Sequence, residues 1–174
     1  FADQFIIGEP SNLAVCPAHK GQYGFFIRTF GKAVHSSIPE QGENAIERMA
    51  RVVNALSDDN EELATRDPHP LCGHGTYSPG VIRGGDLASA VPDFCELEID
   101  RRILPSDVAA DVRKDTAQRL DPLKPQDPGS RNELSEPAWD IPANDLPVEL
   151  PGVQALSLTN NRRSRKPTTG NYRS

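Results

Sequence analysis

From Phe94 to Ile103 the chain alternates: Cys95, Leu97, Ile99 and Ile103 are apolar, and Glu96, Glu98, Asp100 and Arg102 between them are charged. Successive side chains of a strand point to opposite faces, so the pattern specifies a strand with one face in a core and the other polar. A sheet of such strands needs cover on one side only, and amphipathic helices are the natural cover.

The flanking sequence supplies both. Residues 23–30 are aromatic and β-branched and read as a strand closed by Gly31. Residues 76–83 read as another, ended by Gly84-Gly85. Phe5-Ile6-Ile7 reads as a short buried strand stopped by Gly8-Glu9-Pro10-Ser11. Ile46, Met49, Ala50, Val53 and Leu56 lie on one helical stripe, with Ser36 or Ser37 as the cap and Pro39 near the first turn. The polar stretch 57–74 reads mainly as loop. A second helix starts near Pro105-Ser106-Asp107, with Val108, Val112, Thr116 and Leu120 inward. After the breaker at 121–129, a short strand is expected near 132–135 and a short helix near 153–158. The order β-α-β-β-α-β predicts an α+β fold: a two-layer, ferredoxin-like unit with an antiparallel four-stranded sheet and two helices on one face.

The 174 residues suit one domain plus a tail. Half of the 16 prolines fall after residue 120, so the last third should be poorer in regular structure. The net charge of −6 argues against a general nucleic-acid binder. The basic run Arg162-Arg163-Ser164-Arg165-Lys166 reads as a solvated segment. Three cysteines, with no Cys-x-x-Cys, make neither a disulfide framework nor a zinc ribbon, and a reducing cytoplasm is the expected compartment. No apolar run reaches membrane-spanning length, and the start is too polar for a signal peptide.

Several residues are candidates for chemistry. His69-Pro70-Leu71-Cys72-Gly73-His74 holds three metal-competent side chains, but a closed zinc site needs a fourth ligand and none is evident nearby. Gly84-Gly85 lacks the spacing of a phosphate loop and reads as a turn. Glu9, at a strand end, is placed where a carboxylate can bind a metal. His35 lies between a strand end and a helix start; there an imidazole can polarise a carbonyl, or merely bond to its own loop.

Gly8-Glu9-Pro10-Ser11, His19-Lys20-Gly21, Gly31-Lys32-Ala33-Val34-His35-Ser36-Ser37-Ile38-Pro39 and Gly42-Glu43-Asn44-Ala45-Ile46 occur in order. His69-Pro70-Leu71, Gly84-Gly85, Val91-Pro92-Asp93 and Glu98-Ile99-Asp100-Arg101-Arg102-Ile103-Leu104-Pro105 follow. From about residue 3 to 107 the chain resembles the co-catalytic zinc amidohydrolases that include acetylornithine deacetylase, succinyl-diaminopimelate desuccinylase, aminoacylase and glutamate carboxypeptidase. A weaker echo lies at 166–172. The acetylornithine deacetylase-like branch is the nearest in phrasing.

The resemblance implies a lid, or dimerisation, domain inserted in an α/β catalytic domain: residues 1–16 end a catalytic segment, 17–136 form the lid, and 137–174 return to the catalytic domain. It implies hydrolysis of the amide of an N-acyl amino acid or small peptide, with two zinc ions (cobalt or manganese in some members), in a cytoplasmic homodimer paired through the lid, with no nucleic acid or membrane partner. Glu9 matches a zinc-binding carboxylate. His35 matches a lid histidine that reaches the partner subunit's site and polarises the scissile carbonyl. Arg102 matches the arginine that holds the substrate carboxylate, and Asn44 a structural helix residue. Ser89 stands where the family usually has a substrate-contacting Asn in Gly-Gly-x-x-x-Asn-x-x-Pro, a departure. The family's remaining metal ligands and its general base match nothing here, so the chain reads as an internal slice that is inactive alone. The alternative is a non-catalytic dimerisation module.

Overall fold

A computed structural model describes residues 5–8, 10–12, 14–123 and 131–164, the last four by backbone only. Its strands and helices, in chain order, are β1 (Ala18–His19), β2 (Gly21–Phe30), β3 (Val34–His35), α1 (Ala45–Thr65), β4 (Thr76–Gly84), β5 (Ala90–Val91), β6 (Phe94–Ile103), α2 (Ala109–Leu120), β7 (Arg131–Leu134), β8 (Trp139–Ile141), β9 (Asn144–Asp145) and α3 (Pro151–Ser164).

The central sheet runs β4-β6-β2-β7, all neighbours antiparallel, which is the ferredoxin-like order. It carries a fifth strand beyond the four expected: β8 continues along β2 on the β7 side, pairing Trp139 with Gly24. The indole lies across Gly24, where any Cβ would overlap the ring. Tyr23, Phe25, Ile27 and Thr29 of β2, with Cys95, Leu97, Ile99 and Ile103 of β6, are buried on one face. Met49, Val52 and Leu56 of α1 and Val112 and Leu120 of α2 complete that core. Each large side chain fully buried there is worth about 1.5–3 kcal/mol.

The helices differ in detail from their expected bounds. Ser36 and Ser37 do not cap α1; Asn44 does, its Oδ1 accepting from Ile46 N (2.9 Å) and Glu47 N (3.2 Å). Pro39 begins a separate short 3-10 turn. The buried stripe is Ala45, Met49, Val52, Leu56, Asp59 and Leu63, with Ile46 exposed. The helix therefore runs to Thr65, through residues expected as loop. Asp59 hides the continuation: its carboxylate is buried against Arg119 at 3.1 Å, and burial raises its pKa despite that guanidinium. In α2, Val108 is the N-cap residue and points outward, while Val112, Thr116 and Leu120 are buried as expected.

Phe5-Ile6-Ile7 forms no strand, and the three side chains are 82, 75 and 78% exposed. A strand needs a neighbour to bond, and among the described residues none lies beside it. The short strand and the last helix are present at Arg131–Leu134 and Pro151–Ser164. Among the described residues no helix is long and apolar enough to cross a membrane. The basic run 162–166 and the motif at 166–172 lie outside the residues whose side chains are described.

Candidate functional site around His35

Beyond the end of the central sheet, β3 and β5 form a two-residue antiparallel ladder pairing Val34 with Val91 and His35 with Ala90. Ser36 N–H continues it to the Ser89 carbonyl at 2.9 Å. The backbone geometry around Gly31 sets this loop. Gly31 N–H donates to Asp93 O (2.7 Å), and Lys32 bridges to Glu43. A Cβ on Gly31 would sit 2.0 Å from the Glu43 carbonyl oxygen, so only glycine permits the approach.

His35 and Ser89, far apart in sequence, thus stand side by side, and both are exposed. His35 Nδ1 is engaged by its own turn: Ser37 Oγ lies at 2.8 Å and Ser37 N at 3.2 Å. Among the described residues neither His35 Nε2 nor Ser89 Oγ has a hydrogen-bond partner. His35 thus has one nitrogen held by its own loop and the other presented outward.

Arg102 is elsewhere. It lies near the far end of β6, eight residues beyond Phe94, or roughly 26 Å of strand. Its side chain is on the sheet face away from the helices. There Nε and Nη2 contact Asp100 Oδ2 at 3.1 and 3.0 Å, and Gln22 Nε2 donates to the same oxygen at 3.2 Å. Lys20 is close by. Burial pushes its pKa down, and the positive charges of Arg102 and Arg101 add to that while the nearby Cys72 opposes it. The patch thus brings two cations, Arg102 and Lys20, together, with the Arg102 guanidinium engaged by Asp100. Asp100 and Lys20 were not singled out from the sequence. An Asp two residues before an Arg on one strand face was the available signal.

Among the described residues the structure gathers no metal centre. Glu9 lies outside the described residues. Both His69 nitrogens are spoken for: Nδ1 accepts from Leu71 N (3.2 Å) and Cys72 N (3.1 Å), and Nε2 faces Asp145 Oδ2 at 3.2 Å. Among the described residues no group of His, Cys, Asp and Glu assembles to hold an ion. Gly85, directly after β4, takes the left-handed φ of +73° that favours glycine.

Residues 17–128 match the family model described as a peptidase dimerisation domain. The chain is 38% identical over 151 residues to an acetylornithine deacetylase from Proteus mirabilis (strain HI4320), covering 84% of this chain and 38% of that protein. It is 34% identical over 172 residues to an acetylornithine deacetylase from Pectobacterium atrosepticum, covering 98% and 44%. The chain thus spans about two fifths of the length of these curated relatives. Solved structures with a similar fold include a tripeptidase from Staphylococcus aureus (TM-score 0.62, 19% identity, covering 87% of this chain and 37% of that one) and aminopeptidase PepT from Bacillus cereus (TM-score 0.61, 16% identity, covering 89% and 39%). With the lid-like sheet in place and the family model matched across most of it, the chain belongs to the M20 peptidase dimerisation-domain family.

Proposed function

We propose that this chain is the lid region of a longer, zinc-dependent cytoplasmic amidohydrolase that cleaves the amide of N-acyl amino acids, with N-acetylornithine as the first substrate to try. In this reading His35 donates a hydrogen bond from Nε2 to the scissile carbonyl oxygen, and that bond strengthens as negative charge develops there. Arg102 holds the substrate carboxylate, and Ser89 contacts substrate beside His35. Glu9 would be one ligand of a metal site whose other ligands come from outside this chain. The described residues build no such site, and none of the roles given to them passes through a metal.

The observation that carries the reading is the separation of His35 from Arg102. A small N-acyl amino acid cannot touch both within one chain. A homodimer resolves this if His35 serves the partner's substrate and Arg102 its own.

The surface for pairing is the outer edge of β4. Asn60 closes it at Tyr77, donating from Nδ2 to Tyr77 O (2.8 Å) and accepting from Tyr77 N at Oδ1 (2.7 Å). After the irregularity at Pro79–Val81 the edge is open, with Val81 and Ile82 exposed. An open apolar edge is a template for a second strand.

The purified 174-residue chain is expected to sediment as a dimer and to release no acetate from N-acetylornithine, with or without zinc. Ile82→Asp places like charges face to face at the edge and should weaken the dimer at least about tenfold. Zinc-dependent hydrolysis by the isolated chain, or a strict monomer at high concentration, would contradict the reading.

A further inference from the structure

To donate to a carbonyl, the His35 ring must carry its proton on the outward nitrogen. Neutral imidazole has one N–H, and only the tautomer protonated on Nε2 can donate to a carbonyl oxygen. The other tautomer presents a lone pair there and repels it. The turn after β3 bears on this choice. Ser37 N–H lies 3.2 Å from His35 Nδ1, and a backbone N–H can only donate. Ser37 Oγ lies 2.8 Å from the same nitrogen. The hydroxyl holds the ring plane with either tautomer, since it can donate to a bare Nδ1 or accept from Nδ1–H; the backbone N–H fits only the bare nitrogen. The turn is itself fixed, by Ile38 N–H to His35 O at 3.0 Å and by Ser36 N–H to Ser89 O at 2.9 Å. Ser37 therefore cannot drift from the ring without breaking the ladder that places His35.

We infer that Ser37 is a positioning residue that holds the His35 proton on Nε2 and fixes the plane of the ring, so that the N–H is aimed before substrate arrives. The inference rests on the reading of His35 as the donor to substrate. The tautomer itself is a property of this chain and is measurable without activity. The backbone N–H contribution, one hydrogen bond to a neutral acceptor, corresponds to about a fivefold bias in the tautomer ratio.

Nitrogen NMR of the imidazole in the 174-residue chain, at a pH where the ring is neutral, reads that ratio directly. The wild type should show the Nε2–H form in large excess. Ser37→Ala and Ser37→Thr both keep the backbone N–H and should leave that excess in place. An excess of the Nδ1–H form, in the wild type or in Ser37→Ala, overturns the inference whatever the kinetics. In the longer enzyme Ser37→Ala should lower kcat about fivefold with KM little changed, and should have no further effect in a His35→Ala background. Losses that multiply in the double variant would mean Ser37 acts by another route, and the positioning role fails. If His35→Ala leaves kcat intact, the functional reading falls, and the NMR ratio alone then decides whether Ser37 sets the tautomer.

Discussion

His35→Ala in the longer enzyme should lower kcat by about 10²–10³-fold, with KM changed far less. The ring is exposed at the end of a two-residue ladder, and its only hydrogen bonds among the described residues are those of Nδ1 to Ser37. It buries no apolar area of consequence, so the fold should survive its loss. The thermal midpoint of the isolated chain should move by no more than a degree or two. Loss of kcat with an intact fold marks a group that acts mainly in the transition state. A variant that unfolds, or one whose KM rises with kcat unchanged, would point to a structural or simple binding role.

Gly31→Ala should be the most damaging conservative change in the lid. The new Cβ would lie 2.0 Å from the Glu43 carbonyl oxygen, and both partners are backbone, so neither can swing aside. The strand exit and the segment entering α1 must move apart, at a cost of about 1–3 kcal/mol by the measure of overpacked cores. The same shift would carry the His35 loop with it. A misplacement of about 1 Å at a reacting group costs on the order of 10²-fold in rate. Urea unfolding of the chain reads the first effect, and kcat of the longer enzyme reads the second. Gly8→Ala is the control for the unfolding measurement, because a Cβ there meets nothing within 4 Å.

Much of this arrangement was legible in the sequence, and the gaps have physical reasons. The alternation in β6 and the aromatic, β-branched run in β2 gave both central strands, because a one-sided sheet imposes its period on side-chain polarity. The start of α1 was misplaced because Ser36, Ser37 and Asn44 are all good caps. Which one serves depends on the β3–β5 ladder, a long-range pairing. Residues 57–65 of α1 do not read as helix because a carboxylate, Asp59, sits on the buried stripe. Its partner Arg119 lies on the other helix, so the pairing leaves no local pattern. Phe5-Ile6-Ile7 has the apolar content of a strand, but content alone supplies no neighbouring backbone. His35 stood out by its place between strand and helix. Ser37 did not, because its role depends on a turn bringing its hydroxyl back onto the ring, and serine in a loop is unremarkable. The distance between His35 and Arg102 likewise appears only once the sheet is assembled.

That distance makes the central claim testable by complementation. One version of the longer chain carries His35→Ala, and the other carries Glu9→Ala, which on the proposed reading disables its own metal site. Each homodimer should be nearly inactive. Co-expressed and purified as a mixed dimer, they form one site that combines an intact metal centre from the first chain with His35 of the second. Activity should return to about half that of the wild-type dimer, since one of its two sites is whole. A mixed dimer as inactive as its parents would mean that His35 serves its own chain or no active site at all, and would contradict the account.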